Sequence, residues 1–145
     1  RIDIPSQWKA VVAIPDFELH TEKARAVLPA SYVRSDVVHN IGAVSFLMAA
    51  FMYNKPEYLK FGLDDHVHVP YRLGLIPGSE EVIRSSVKAG AYGATISGSG
   101  PTIIAFSPSD KAHLVGESMV STFKHHGITS SYIVLDFDQS GISAV

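Results

Sequence analysis

Gly93-Ala94-Thr95-Ile96-Ser97-Gly98-Ser99-Gly100-Pro101-Thr102-Ile103-Ile104-Ala105-Phe106 places a Ser-Gly-Ser-Gly-Pro-Thr turn between two short strand-like runs. The runs read as a β-hairpin. Two glycines let the backbone take positive φ or approach a ligand closely, and the serines beside them add hydroxyl donors. On local chemistry the turn is either a plain hairpin connection or a cradle for an anion. Three better-known motifs fail here. A Walker A loop running from Gly93 to Gly98 needs lysine next, where Ser99 stands. A dinucleotide fingerprint through Gly98 and Gly100 would put its third glycine at Ile103, and a β-branched run follows instead of a helix. Neither Ser97 nor Ser99 has the Gly-x-Ser-x-Gly surround of a nucleophile elbow.

Upstream of the hairpin, Trp8 to Ile14 reads as a buried strand closed by Pro15-Asp16. Thr21 caps a short helix of good helix formers that Pro29 stops. After Ser35-Asp36, Val37, Ile41, Val44, Met48 and Phe51 recur at spacings of four and three, which predicts a long amphipathic helix packed on the core. Pro56 opens a further short helix, and Asp64 to Pro77 reads as a proline-bearing loop. Ser79 caps the next helix, with Val82, Ile83 and Val87 inward. Downstream, a helix from about Asp110 to His125 turns Leu114, Val115, Met119 and Phe123 inward, Gly127 ends it, and Ser131 to Phe137 forms a last strand. The order strand, helices, hairpin, helix, strand is a split β-α-β pattern. It predicts an α+β fold, a ferredoxin-like sandwich with extra helices in the first crossover.

A length of 145 residues, 46% of them apolar and 10% aromatic, suits one compact domain across residues 1–145. Twelve Lys plus Arg against fourteen Asp plus Glu give a net charge of -2, without the basic excess that nucleic acid demands. The absence of cysteine rules out disulfides, thiolate metal sites and a cysteine nucleophile, and suits a cytoplasmic setting. No apolar run is expected to reach membrane-spanning length, and no signal peptide is apparent. Arg1 opens the chain without methionine, so the sequence reads as a piece of a longer protein.

Several side chains are candidates for chemistry. Thr21 and Arg25 lie one helical turn apart, so either they converge on an anion or Thr21 is only a cap and Arg25 a solvated residue. Arg72, in a proline-held segment, either serves a site or pairs with Asp64 or Asp65. His66 and His68 form a His-x-His pair without a defined third ligand, and His125-His126 suits a helix C-terminus, so no metal site is expected.

Three segments taken together, Ala13-Ile14-Pro15-Asp16-Phe17-Glu18-Leu19-His20-Thr21-Glu22-Lys23-Ala24-Arg25-Ala26-Val27-Leu28-Pro29, His68-Val69-Pro70-Tyr71-Arg72 and Ile96-Ser97-Gly98-Ser99-Gly100-Pro101-Thr102, resemble the homoserine kinases of the GHMP small-molecule kinase superfamily. The resemblance spans nearly the whole chain and is to the C-terminal domain of that family. It implies transfer of the ATP γ-phosphoryl group to the hydroxyl of L-homoserine, on the route to threonine, with Mg2+ as companion ion. It implies that Arg25 and Arg72 hold the substrate carboxylate, that Thr21 lies near the reacting hydroxyl, and that Gly98 belongs to an active-site loop of Ser97, Gly98, Ser99 and Gly100. The family's N-terminal domain, with its Pro-x-x-x-Gly-Leu-Gly-Ser-Ser-Ala type phosphate loop, has no counterpart in residues 1–145, and His20 stands where serine is common. The expected partners are therefore L-homoserine, the chain's own N-terminal GHMP domain and, through an exposed sheet edge or core surface, a second copy in a homodimer. Another GHMP kinase, or a non-catalytic ferredoxin-like module that binds an amino acid, is the alternative reading.

Overall fold

The computed structural model describes residues 2–140; Arg1 and residues 141–145 lie outside them. Strand β1 (Trp8–Pro15) is followed by helix α1 (Thr21–Ala26), the long helix α2 (Arg34–Met52), a 3-10 turn at Pro56–Tyr58 and the short helices α3 (Leu59–Gly62) and α4 (Val69–Arg72). A second 3-10 turn (Leu73–Leu75) leads to α5 (Ser79–Lys88), the hairpin β2 (Gly93–Ile96) and β3 (Ile103–Pro108), α6 (Ala112–His125) and β4 (Ser130–Leu135). The strands form one sheet in the order β2-β3-β1-β4, with every neighbouring pair antiparallel. This is the split β-α-β arrangement that the element order predicts, and the extra helices do lie between β1 and β2.

The pleat assigns side chains to two faces. Val11 and Ala13 of β1, Ile103 and Ala105 of β3, and Ala94 and Ile96 of β2 point to the face covered by α5 and α6, where Val82, Val115, Met119 and Phe123 close a continuous core. On the reverse face Trp8 meets Phe51 and Tyr92 at ring-centroid distances of 5.5 and 5.0 Å, with Ala50 and Leu59 buried beside it, so the C-terminal end of α2 is fastened there. The Trp8 indole N–H donates to Asn54 Oδ1 at 2.8 Å, which satisfies its polar edge.

Several sequence expectations need correction. Of the apolar stripe of α2, Phe51 packs against Trp8 as expected, but Val37, Ile41, Val44 and Met48 are exposed, and Ala43 and Ala50 are the buried positions. The helix also overturns the expectation that no apolar run reaches spanning length, since its 19 residues with mean hydropathy 1.3 are long and apolar enough by length and composition. Leu114 and Val87 face solvent, and Ser86 takes the inward position one residue before Val87. Helix α1 has His20 as N-cap and Thr21 as its first helical residue, and α5 is capped by Gly78 rather than Ser79. Ser79 is buried instead, its hydroxyl donating to the Leu73 carbonyl at 3.0 Å. The Asp64 to Pro77 segment is not an irregular loop throughout, because α4 and a 3-10 turn occupy half of it.

Candidate active site

The turn that closes the hairpin is tied by Ser97 N–H to the Thr102 carbonyl at 2.8 Å and by Gly100 N–H to the Ser97 carbonyl at 3.0 Å. Gly98 and Gly100 both take positive φ, +58° and +84°, as their residue type permits. Their surroundings differ. A Cβ on Gly100 would stand 2.7 Å from Ile76 Cδ1, so this glycine lets the turn sit against the core, whereas a Cβ on Gly98 would meet nothing within 4 Å. The open side of the turn is thus at Gly98, beside a cavity of about 380 Å³.

Arg72 joins the elements around that cavity. Its Nε–H donates to the Ala24 carbonyl of α1 at 3.1 Å and its Nη1–H to the Gly98 carbonyl at 3.0 Å. A guanidinium carries five N–H donors in a rigid fork. The two bonds fix the plane of the group between α1 and the turn and leave donors over for an anion. Among the described residues Arg72 makes no ion pair with Asp64 or Asp65. Asp65 instead organises the entry to α4, where its Oδ1 accepts from the backbone N–H groups of Val67 at 2.7 Å, His68 at 2.5 Å and Val69 at 3.2 Å. Burial alone pushes the Asp65 carboxyl up, but these N–H bonds and the His68 ring together hold it below the ordinary aspartate value.

Of the residues singled out in the sequence, Arg72 and Gly98 are therefore in direct contact and both line the cavity. Thr21 and Arg25 are exposed on α1, whose Ala24 carbonyl anchors Arg72, but neither lines the cavity or has a side-chain hydrogen bond or ion pair among the described residues. Sequence reasoning missed Asn40 and offered Asp65 only as an ion-pair partner for Arg72. Asn40 Oδ1 accepts the His66 N–H at 2.8 Å from across the cavity wall. For Asp65 a signal existed, since an aspartate two to four residues ahead of a helical turn is well placed to accept its free N–H groups.

The architecture has counterparts. The family described as GHMP kinases C terminal matches residues 56–125, the span from the first 3-10 turn through α6. Residues 56–125 belong to the GHMP kinase C-terminal family. The chain is 45% identical to the homoserine kinase of Carboxydothermus hydrogenoformans over 97% of its own length and 45% of the relative's. It is 44% identical to the homoserine kinase of Picosynechococcus over 90% of its length and 43% of the relative's. Among solved structures, the homoserine kinase of Cytophaga hutchinsonii superposes with a TM-score of 0.91 at 34% identity, covering 96% of this chain and 44% of that one. The chain thus spans about half the length of the curated relatives it matches.

Proposed function

We propose that this chain is the substrate-contributing half of a homoserine kinase, which phosphorylates L-homoserine to O-phospho-L-homoserine in threonine biosynthesis. The observation that carries the proposal is the fastening of Arg72 between Ala24 and Gly98 at the cavity edge, in a chain whose relatives bear that enzyme's name. A guanidinium held in plane, with donors to spare, suits a planar carboxylate in two-point contact. Arg72 holds the substrate carboxylate, Arg25 adds a second cation from α1, and Thr21 lies near the reacting hydroxyl. The Ser97-Gly98-Ser99-Gly100 turn closes over them. ATP with Mg2+ supplies the phosphoryl group when bound. The open space at Gly98 fits the turn to approach a bound molecule closely, while the phosphate loop that grips the nucleotide belongs to the N-terminal GHMP domain. Phosphoryl transfer depends chiefly on positioning and charge stabilisation, so these residues serve by orienting the acceptor hydroxyl.

The same reading assigns the N-terminal domain as the partner that covers the exposed residues of α2. It also includes a cytoplasmic setting and a homodimer. The test is steady-state kinetics on the longer enzyme with homoserine, mevalonate and galactose as acceptors. Turnover of homoserine alone is expected, and Thr21→Ala lowers kcat more than it raises KM. Phosphorylation of another alcohol with no turnover of homoserine overturns the assignment.

A further inference from the structure

Of the His-x-His pair, His68 lies beside Asp65 at 3.4 Å and takes no part, whereas the fold brings two ligand candidates to His66. His39 projects from α2, while Asp64 and His66 lie on the connection between α3 and α4. His39 Nε2 is 3.1 Å from Asp64 Oδ2, and His66 Nε2 is 3.7 Å from Asp64 Oδ1. The imidazoles stack with centroids 3.8 Å apart and planes 16° from parallel, an arrangement in which neither ring donates in plane to the other. One ligand atom from each of the three residues lies within 4.8 Å of the other two. Ligands about 2.0–2.1 Å from a tetrahedral zinc ion are roughly 3.3–3.4 Å from one another, so the nitrogen–oxygen spacings suit an ion, but the imidazoles must swing out of their stack, and His39 Nε2 must give up its 3.0 Å contact with the Asp64 backbone carbonyl, for both rings to point at it.

An independent feature points the same way. His66 Nδ1 is 3.4 Å from the Asp36 carboxylate on α2, which leaves Nε2 to face Asp64. A carboxylate behind the far nitrogen is the usual orienting partner of a metal-bound imidazole. The backbone is set as well: His66 N–H donates to Asn40, and Asp65 gathers the next N–H groups, so the connection does not need to fold around an ion. We propose that His39, Asp64 and His66 form a divalent cation site with a fourth position open to water. Two nitrogens and one oxygen select an ion of the zinc class over Mg2+ or Ca2+, which prefer oxygen ligands throughout. The ion ties α2 to the segment that leads into α4 and Arg72, and so stiffens one wall of the cavity. The inference rests on these residues and not on the substrate assignment.

The experiment is zinc titration by calorimetry on the longer protein after chelator stripping, with Co2+ absorption as second readout and thermal melts to verify folding. His39→Ala and His66→Ala each lower the affinity of one site about 100-fold and abolish the visible bands of four-coordinate Co2+, Asp36→Asn lowers it about 10-fold, and the His125→Ala/His126→Ala variant leaves it unchanged. Equal zinc affinity and Co2+ spectra in the wild type and the folded His39→Ala/His66→Ala variant, or a loss found only on replacing His125 and His126, overturns the proposal.

Discussion

The two faces of the sheet carry similar amounts of apolar side chain but differ in what covers them. On one face Val11, Ala13, Ile103 and Ala105 meet α5 and α6, and Val82, Val115, Met119 and Phe123 are fully buried in return. On the reverse face, among the described residues, only the corner around Trp8 is closed. Ile14, Ile133 and Leu135 are exposed there, and α2 turns Val37, Ile41, Val44 and Met48 to solvent. The first face is a core that the chain completes by itself. The second is apolar surface beyond what the chain's own packing uses, in a domain that spans about half of its relatives' length. Periodicity therefore reports that a helix has an apolar side, not which molecule buries it.

Substitutions should separate the faces sharply. The largest effect is expected at Phe123. Phe123→Ala leaves a cavity against α5 and the sheet and should cost about 3–5 kcal/mol, measured by denaturant unfolding of the chain. A loss below about 1 kcal/mol would mean that the α5–α6 layer is not the main core. A smaller loss is expected at Asp65, whose carboxylate serves three backbone N–H groups: Asp65→Ala should cost about 1.5–3 kcal/mol. Because its folded pKa is lowered, this contribution is present above the ordinary aspartate value of 3.8 and disappears as pH falls through the lowered value. The stability difference between wild type and Asp65→Ala should therefore shrink on acidification through that window. A difference that grows there would contradict the sign of the shift.

The smallest effect belongs to the reverse side. Ile41→Ser and Val44→Ser should each alter the stability of the chain alone by no more than about 0.5 kcal/mol, since both side chains are exposed. On the proposed cover of α2 by the remaining half of the longer protein, the same changes should cost more there. Equal, small effects in both would remove the reason for assigning that cover.

How much of this was legible in the sequence follows from the range of the forces involved. The hairpin was readable because its turn chemistry is local, and the strand order followed because a split β-α-β pattern has few compact solutions. The inward face of α6 was right at Val115, Met119 and Phe123, but Leu114 marks where a helical stripe is wider than the core it meets. The site was half legible. Arg72 and Gly98 stood out by residue type and resemblance, yet nothing in their spacing reveals that the first donates to the carbonyl of the second, 26 residues away. The meeting of His39 with Asp64 and His66 is equally long-range, made by α2 folding back along the α3–α4 connection.

The central claim is that Arg72, held between α1 and the glycine turn, recognises a carboxylate. It is tested most directly by comparing homoserine with 3-aminopropan-1-ol, the same acceptor without its carboxylate, in the longer enzyme. Arg72→Ala should lower kcat/KM for homoserine by about 100-fold, the equivalent of a lost charged hydrogen-bond pair, while leaving the weak turnover of the amino alcohol nearly unchanged, and Arg72→Lys should restore little. If Arg72→Ala lowers kcat/KM for both acceptors by the same factor, Arg72 supports the turn and does not bind the carboxylate.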